Sequence, residues 1–324
     1  MNIGLVGNGM IIPDILSQIK SIPEMECIAI CGREKSSFKL QQLAKDYTIR
    51  KVYYNYEELL EDSEIDVIYV AIVNSLHYEY CLKALNAGKH VVCEKPFSLK
   101  YEEAKKLKEM AEQKKLFLFE AITTRYMPVY SQLFDIIEEI GNIKAVFCNL
   151  SKYSSRYDDF VKGETPNVFN PSLGGGALED INIYNIHFCV GLFGEPMEVS
   201  YYANIIRDID VSGTLILKYD NFTALCVGAK NNNVGTGIFI QGEKGAITVN
   251  EVPYAITGFN IFTKGSQRAI ISKENKRHRM FFELSEFLRI IKEKRYDQCY
   301  SNLEDTLKVV RISEDARKFA GLSF

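Results

Sequence analysis

The residues Gly7-Asn8-Gly9-Met10-Ile11-Ile12 follow the apolar run Asn2 to Val6 and lead into a helix-period segment. Two glycines at that spacing let the backbone turn tightly and approach a pyrophosphate at the positive end of the next helix, the first part of a dinucleotide site. Ile12 stands where a third small residue usually lets helix and strand pack closely. The second apolar run ends in Cys31-Gly32-Arg33-Glu34-Lys35-Ser36-Ser37. A carboxylate at that tip would accept from an adenosine 2′-hydroxyl; a guanidinium there suits a 2′-phosphate, which it pairs bidentately. Arg33 therefore favours NADP as cofactor, and Glu34, one position on, keeps NAD open. Two further runs end in polar groups, Asn74-Ser75-Leu76-His77 and Glu94-Lys95-Pro96, at the sheet edge where α/β folds bind ligands. Asn74 reads equally as a helix cap or a cofactor contact. Contacts to the dinucleotide are expected from Gly7, Asn8, Gly9, Met10, Ile11, Arg33, Asn74, His77, Glu94 and Lys95.

These groups need a parallel sheet to place them, and the pattern supplies one. Short continuous apolar runs at 2–6, 26–31, 51–53, 66–73, 90–94 and 116–120 alternate with helix-period stretches at 11–20, 36–47, 56–61, 75–87 and 99–114. Ser98 reads as the N-cap of the last helix and Gly88 as the end of the fourth. The fold class expected is α/β, a Rossmann doubly wound parallel sheet over residues 1–122. Residues 123–324 are expected to form an α+β domain on a large, mostly antiparallel sheet. Its strands are placed at 143–151, 199–206, 211–219, 222–230, 236–241 and 246–250, with a hairpin turn at Asp220-Asn221. Helices are placed at 128–140, ending at Gly141, and at 178–192 and 280–294. Two domains imply a cleft, and an open antiparallel face implies a homodimer or homotetramer.

The glycine turn, Asn74-Ser75-Leu76-His77 and above all Glu94-Lys95-Pro96 resemble the Gfo/Idh/MocA family, which includes glucose–fructose oxidoreductase, inositol dehydrogenase and dihydrodiol dehydrogenase. The likeness extends through Glu120-Ala121, Arg125-Tyr126-Met127-Pro128 and Gly174-Gly175-Gly176-Ala177-Leu178-Glu179-Asp180-Ile181-Asn182-Ile183-Tyr184, so it covers essentially the whole chain. The resemblance implies that Lys95 is catalytic and that Asp180 and Tyr184 fill the family's pair of an acid and, four residues on, His or Tyr. A helical reading puts Asp180, Tyr184 and His187 on one face, at i, i+4 and i+7. Hydride transfer at carbon leaves a proton to add to or take from the carbinol oxygen, and Lys95 with Tyr184 or His187 could handle it. Asp180 would orient the lysine or a substrate hydroxyl. Each has a plainer alternative: an ion pair with Glu94 for Lys95, core packing for Tyr184 and His187, and for Arg125 a hinge salt bridge instead of a substrate anchor.

Composition narrows the partners. The 324 residues are 47% hydrophobic and 25% charged with a formal charge of −3, which offers no broad attraction to nucleic acid or membrane. The short basic run Lys273 to Arg279 reads as a solvated loop or helix start. Without a signal segment or a bilayer-spanning apolar run, a cytoplasmic protein is expected. The eight cysteines show no CxxC pair, so reduced core thiols and no metal are expected. Together these residues predict an NAD(P)-dependent oxidoreductase of a small polyol, sugar or dihydrodiol. The competing reading is a non-catalytic NAD(P)-binding sensor on the same fold.

Overall fold

Runs such as Ile28-Ala29-Ile30 and Val67 to Val70 are apolar at every position, so they suit strands covered on both faces. In the computed structural model, which describes residues 1–233, 235–274 and 276–322, they form six strands: β1 (Asn2–Val6), β2 (Glu26–Cys31), β3 (Lys51–Tyr53), β4 (Val67–Val70), β5 (His90–Glu94) and β6 (Leu118–Ala121). Five helices alternate with them: α1 (Ile12–Ser21), α2 (Ser37–Tyr47), α3 (Tyr56–Glu61), α4 (His77–Asn86) and α5 (Tyr101–Lys114). All strand pairs are parallel, in the order β3-β2-β1-β4-β5-β6, the doubly wound arrangement expected. Ser98 does not cap α5. The helix starts three residues later, and the Ser98 hydroxyl instead meets the backbone of Lys100 and donates to Glu103.

The chain divides into two compact units, residues 1–121 with 280–306, and 122–279 with 307–324. The second region, expected to be continuous, thus lends a late segment to the first. Helices α10 (Arg279–Lys292) and α11 (Tyr296–Ala320) explain this, because their aromatic residues match those around β6. Phe287 stacks on Phe119 at 4.4 Å and Tyr296 on Phe117 at 4.3 Å. The Thr306 hydroxyl donates to Glu120 at 2.8 Å. Arg279, last of the basic run, opens α10; its neighbours Lys276, Arg277 and His278 are exposed, and Asn275 lies outside the described residues.

In the second unit, α6 (Thr123–Tyr126) and α7 (Pro128–Ile136) lead to β7 (Ile143–Ser151), followed by α8 (Tyr157–Val161) and α9 (Ile183–Phe193). Strands β8 (Glu198–Ile206), β9 (Ile209–Lys218), β10 (Thr223–Ala229), β11 (Gly237–Gly242), β12 (Gly245–Val249), β13 (Gly258–Thr263) and β14 (Ser266–Ile271) complete the sheet. The order is β14-β13-β12-β11-β7-β10-β9-β8, with every pair antiparallel except β7 and β10. Alternation follows from one covered face. Val146, Cys148, Leu150, Ala224 and Cys226 point inward, whereas Phe147 and its register partner Phe239 are 40% and 44% exposed. The hairpin at Asp220-Asn221 forms as expected, closed by Tyr219 N–H to Phe222 carbonyl.

All eight cysteines are free and buried. Three of them meet in the core although the sequence scatters them. Cys148 and Cys226 are register partners on β7 and β10, and Cys189 of α9 lies 3.8 and 3.7 Å from their sulfurs. Among the described residues this cluster supplies three thiols, one fewer than a closed zinc site takes. No helix among the described residues is long and apolar enough to cross a membrane.

Candidate active site

The first unit gathers its expected residues at the carboxyl edge of the parallel sheet. Gly7 leaves β1 with φ +129°, and a Cβ there would run into the Ala71 carbonyl, so only glycine fits. Gly9 has open space where a Cβ would lie, leaving the backbone of the turn approachable. Ile12 is buried as the first residue of α1, with Pro13 next to it, so the irregular slot is absorbed by packing. No side chain caps α1, while Asn8, Gly9, Met10 and Ile11 form the turn before it. That glycine cradle ahead of an uncapped helix fits the pyrophosphate of a dinucleotide. Arg33 is exposed directly beyond β2, where the adenosine end of such a ligand would lie.

Asn74 opens a short 3₁₀ turn after β4; the N-cap position of α4 is Leu76, so Asn74 is not its capping residue. His77, expected as a cofactor contact, is fully buried with both ring nitrogens toward main-chain carbonyls. Nδ1 lies 2.8 Å from the Pro96 carbonyl and Nε2 3.3 Å from that of Ile72, which favours the tautomer that donates from Nδ1. Burial holds the imidazole pKa below its ordinary value, against the pull of the two carbonyls. A neutral imidazole thus ties down the residue after Lys95. On the other side Phe97 N–H donates to Glu120 at 3.1 Å, and Glu94 accepts from the buried Tyr69 hydroxyl at 2.9 Å. Lys95, half-buried and joined to Pro96 by a cis peptide bond, stands between these anchors.

In the second unit the glycine turn leads into Asp180. A Cβ on Gly175 would lie 2.9 Å from the backbone at Val168 and Asn170, and one on Gly176, whose φ is +109°, would strike the Asp210 carboxylate. Residues 178–182 form a π-helical turn before α9, where a continuous α-helix was expected. Such turns recur at functional sites. Its cause is visible in two buried asparagines: Asn182 donates to the Cys226 carbonyl at 3.0 Å, and Asn185 to the Val227 carbonyl at 3.0 Å. Asp210 accepts from Leu178 N–H at 2.6 Å and from the Tyr201 hydroxyl at 2.7 Å. Glu179 accepts from Ser313 at 2.6 Å and from Arg317, all three of them buried.

Asp180 Oδ2 accepts from Lys230 Nζ at 2.7 Å. The Tyr184 ring lies 4.8 Å from that of Tyr254, whose carbonyl accepts from Thr123. Arg125 belongs to α6, which packs beside α9. His187 is on α9 and only 6% exposed, placed as a core residue rather than toward solvent. Sequence reasoning named His77 only as a cofactor contact and missed the anchoring roles of the residues that hold the others in place. His77 and Glu120 anchor the segment at Lys95, and Asp210, Glu179, Arg317 and Lys230 anchor the turn at Asp180. The available signal was a charged residue amid or just after an apolar strand run, as at Asp210 and Lys230.

A glycine-rich turn opening a 3-2-1-4-5-6 parallel sheet, joined to a large antiparallel sheet, defines a two-part oxidoreductase with a nicotinamide-dinucleotide fold. Residues 1–121 match the oxidoreductase family with an NAD-binding Rossmann fold, and residues 132–248 match the GFO/IDH/MocA C-terminal domain. The chain belongs to the Gfo/Idh/MocA family and is an NAD(P)-dependent oxidoreductase. It is 29% identical to scyllo-inositol 2-dehydrogenase (NADP(+)) of Bacillus subtilis, over 99% of this chain and 97% of that one. It is 30% identical to trans-1,2-dihydrobenzene-1,2-diol dehydrogenase of Danio rerio, over 76% of this chain and 73% of that one. Its fold superimposes on a 3-ketoreductase of Actinomadura kijaniata, solved with TDP-benzene and NADP, with a TM-score of 0.84 at 22% identity, covering 98% and 96% of the two chains.

Asp210 makes stability testable by pH. Burial pushes its carboxyl up to about 6 from the usual 3.8. Between those values the folded state binds a proton that the unfolded chain releases, so the contribution is present below 3.8 and lost as pH rises through 6. Urea unfolding from pH 4 to 7 should show Asp210→Asn gaining on the wild type by up to about 3 kcal/mol. Parallel profiles for the two proteins would refute the assignment.

Proposed function

We propose that this oxidoreductase prefers NADP and moves a hydride between the nicotinamide and a carbinol or carbonyl carbon of a small polyol, sugar or dihydrodiol. The observation that carries the reading is the fixed placement of Lys95 at the ligand-binding edge of the sheet, with Pro96 held by His77 and Phe97 by Glu120. Relatives named for an inositol, a xylose and a dihydrodiol support the substrate class, and two of these names specify NADP(+). Bound dinucleotide supplies or takes up the hydride. Gly7 to Ile11 cradle its pyrophosphate, Arg33 pairs with the 2′-phosphate, and Asn74 lies among the contacts at the end of β4. Lys95 donates a hydrogen bond to the substrate oxygen and polarises it, and Tyr184 passes the proton. Asp180 orients a substrate hydroxyl, with Arg125 as a second anchor. Residues 1–121 serve the cofactor, and the second unit serves the substrate and subunit contacts.

The open face of the eight-stranded sheet, with Phe147 and Phe239 side by side, supports assembly with a second copy of this chain. Sedimentation of the wild type as an oligomer and of Phe147→Glu as a monomer is expected; a monomeric wild type would end this part of the reading.

Two measurements address the chemistry. Fluorescence titration should give Lys95→Ala an NADPH affinity within a few-fold of wild type, while turnover on a polyol and sugar panel falls roughly 10²- to 10⁴-fold. Turnover equal to wild type would remove Lys95 from the mechanism. Arg33→Ala should weaken NADPH about 10-fold or more, the worth of a charge-assisted contact, and leave NADH nearly unchanged. Equal losses for both cofactors would show that Arg33 does not read the phosphate.

A further inference from the structure

Lys230 follows β10 and is 1% exposed. An ammonium that deep is costly unless its charge is matched and its donors are used. Nζ donates to Asp180 Oδ2 at 2.7 Å and to the Val168 carbonyl at 2.8 Å, and stands 4.6 Å from the centre of the Phe169 ring. The backbone is held as well, since Lys230 N–H donates to the Val211 carbonyl at 2.9 Å. Its partner is different: the Asp180 side chain is 33% exposed, so one end of the pair is buried and the other reaches solvent.

We infer that Lys230 is a positioning residue of the reaction, acting through Asp180. This rests on the proposed role of Asp180. The buried cation matches the charge of that carboxylate and pins Oδ2, so that the group presents a fixed acceptor toward its exposed side. An acceptor fixed in this way orients a hydroxyl of the substrate. Two features separate this pair from an ordinary surface salt bridge. The lysine has no freedom to leave, and the π-helical turn that carries Asp180 is fixed by Asn182 to the Cys226 carbonyl of β10, the strand that runs directly into Lys230.

A double-mutant cycle tests it. Turnover with NADP+ and scyllo-inositol, or the panel polyol with the highest rate, is measured for wild type, Lys230→Met, Asp180→Asn and the double variant, each normalised to NADPH-binding sites. Lys230→Met should lower kcat/KM roughly 100-fold, as misplacement of a reacting group does, with NADPH affinity unchanged. In the Asp180→Asn background the same change should have almost no further effect. An equal loss in both backgrounds would overturn the inference and leave the role of Asp180 standing; unaltered turnover in Asp180→Asn would bring down that role and the inference with it. If Lys230→Met does not fold, Lys230→Gln, which keeps a donor for the Val168 carbonyl, carries the same cycle. Thermal midpoints give a readout apart from activity: the double variant should lose less than the two single losses summed, and strict additivity would overturn the pair.

Discussion

A charge taken out of water must be matched where it lies, and the second unit is organised by that requirement. Glu179 meets Arg317, Asp180 meets Lys230, and Asp210 takes a backbone N–H and a tyrosine hydroxyl, all within one short turn. Removing one member of a buried pair leaves an uncompensated charge costing about 3–5 kcal/mol, which makes each contact a strong constraint on its neighbours. The partners come from α11, from the residue after β10 and from β9. The turn therefore takes its shape only once three separated stretches of chain are in place. An ordinary α-helix would have been easier to form. The extra residue in the turn is held by Asn182 and Asn185, whose side chains satisfy carbonyls of β10.

The first unit reaches an equally fixed site by different physics. Here the determinants are backbone shape and close approach: a glycine with positive φ against the Ala71 carbonyl, and a lysine whose following two residues are bound by His77 and Glu120. The buried His77 is neutral, so it steadies the segment without placing a second cation next to Lys95. The glycine turn presents backbone, and the edge at Lys95 presents charge. Both features sit on strand ends of the same sheet.

Four strands of the first unit were legible to the residue, since buried parallel strands leave uninterrupted apolar runs such as Cys27 to Cys31, whereas the runs at 66–73 and 116–120 overreach β4 and start ahead of β6. The polar residues at the carboxyl ends of the strands were placed for the same reason, as the first polar groups after each run. The late segment was legible only in part: the helix placed at 280–294 is α10, but its place in the first unit and the whole of α11 were not foreseen. Helix α11 buries Cys299, Leu303, Val309, Val310 and Ile312 on more than one side, so it carries no single apolar stripe to reveal it. Strand β14 is exposed along most of its length, which erases the alternation that marked β7. The burial of His77 between two carbonyls was not foreseen, because a polar residue at a strand edge reads the same whether it faces a ligand or a neighbouring carbonyl. Lys230 and Arg317 escaped notice because their partners are distant in sequence, and no local spacing announces a long-range ion pair.

The contribution of residues 280–306 to the first unit bears on how the protein is made. Phe117 and Phe119 lie in the first 121 residues, yet the rings that stack on them, Tyr296 and Phe287, are near the end of the chain. During synthesis, which proceeds from the N-terminus at about 5–20 residues per second, the apolar side of β6 emerges many seconds before its cover exists. The nascent cofactor-binding unit must wait, partly uncovered, until the chain has been translated as far as Tyr296.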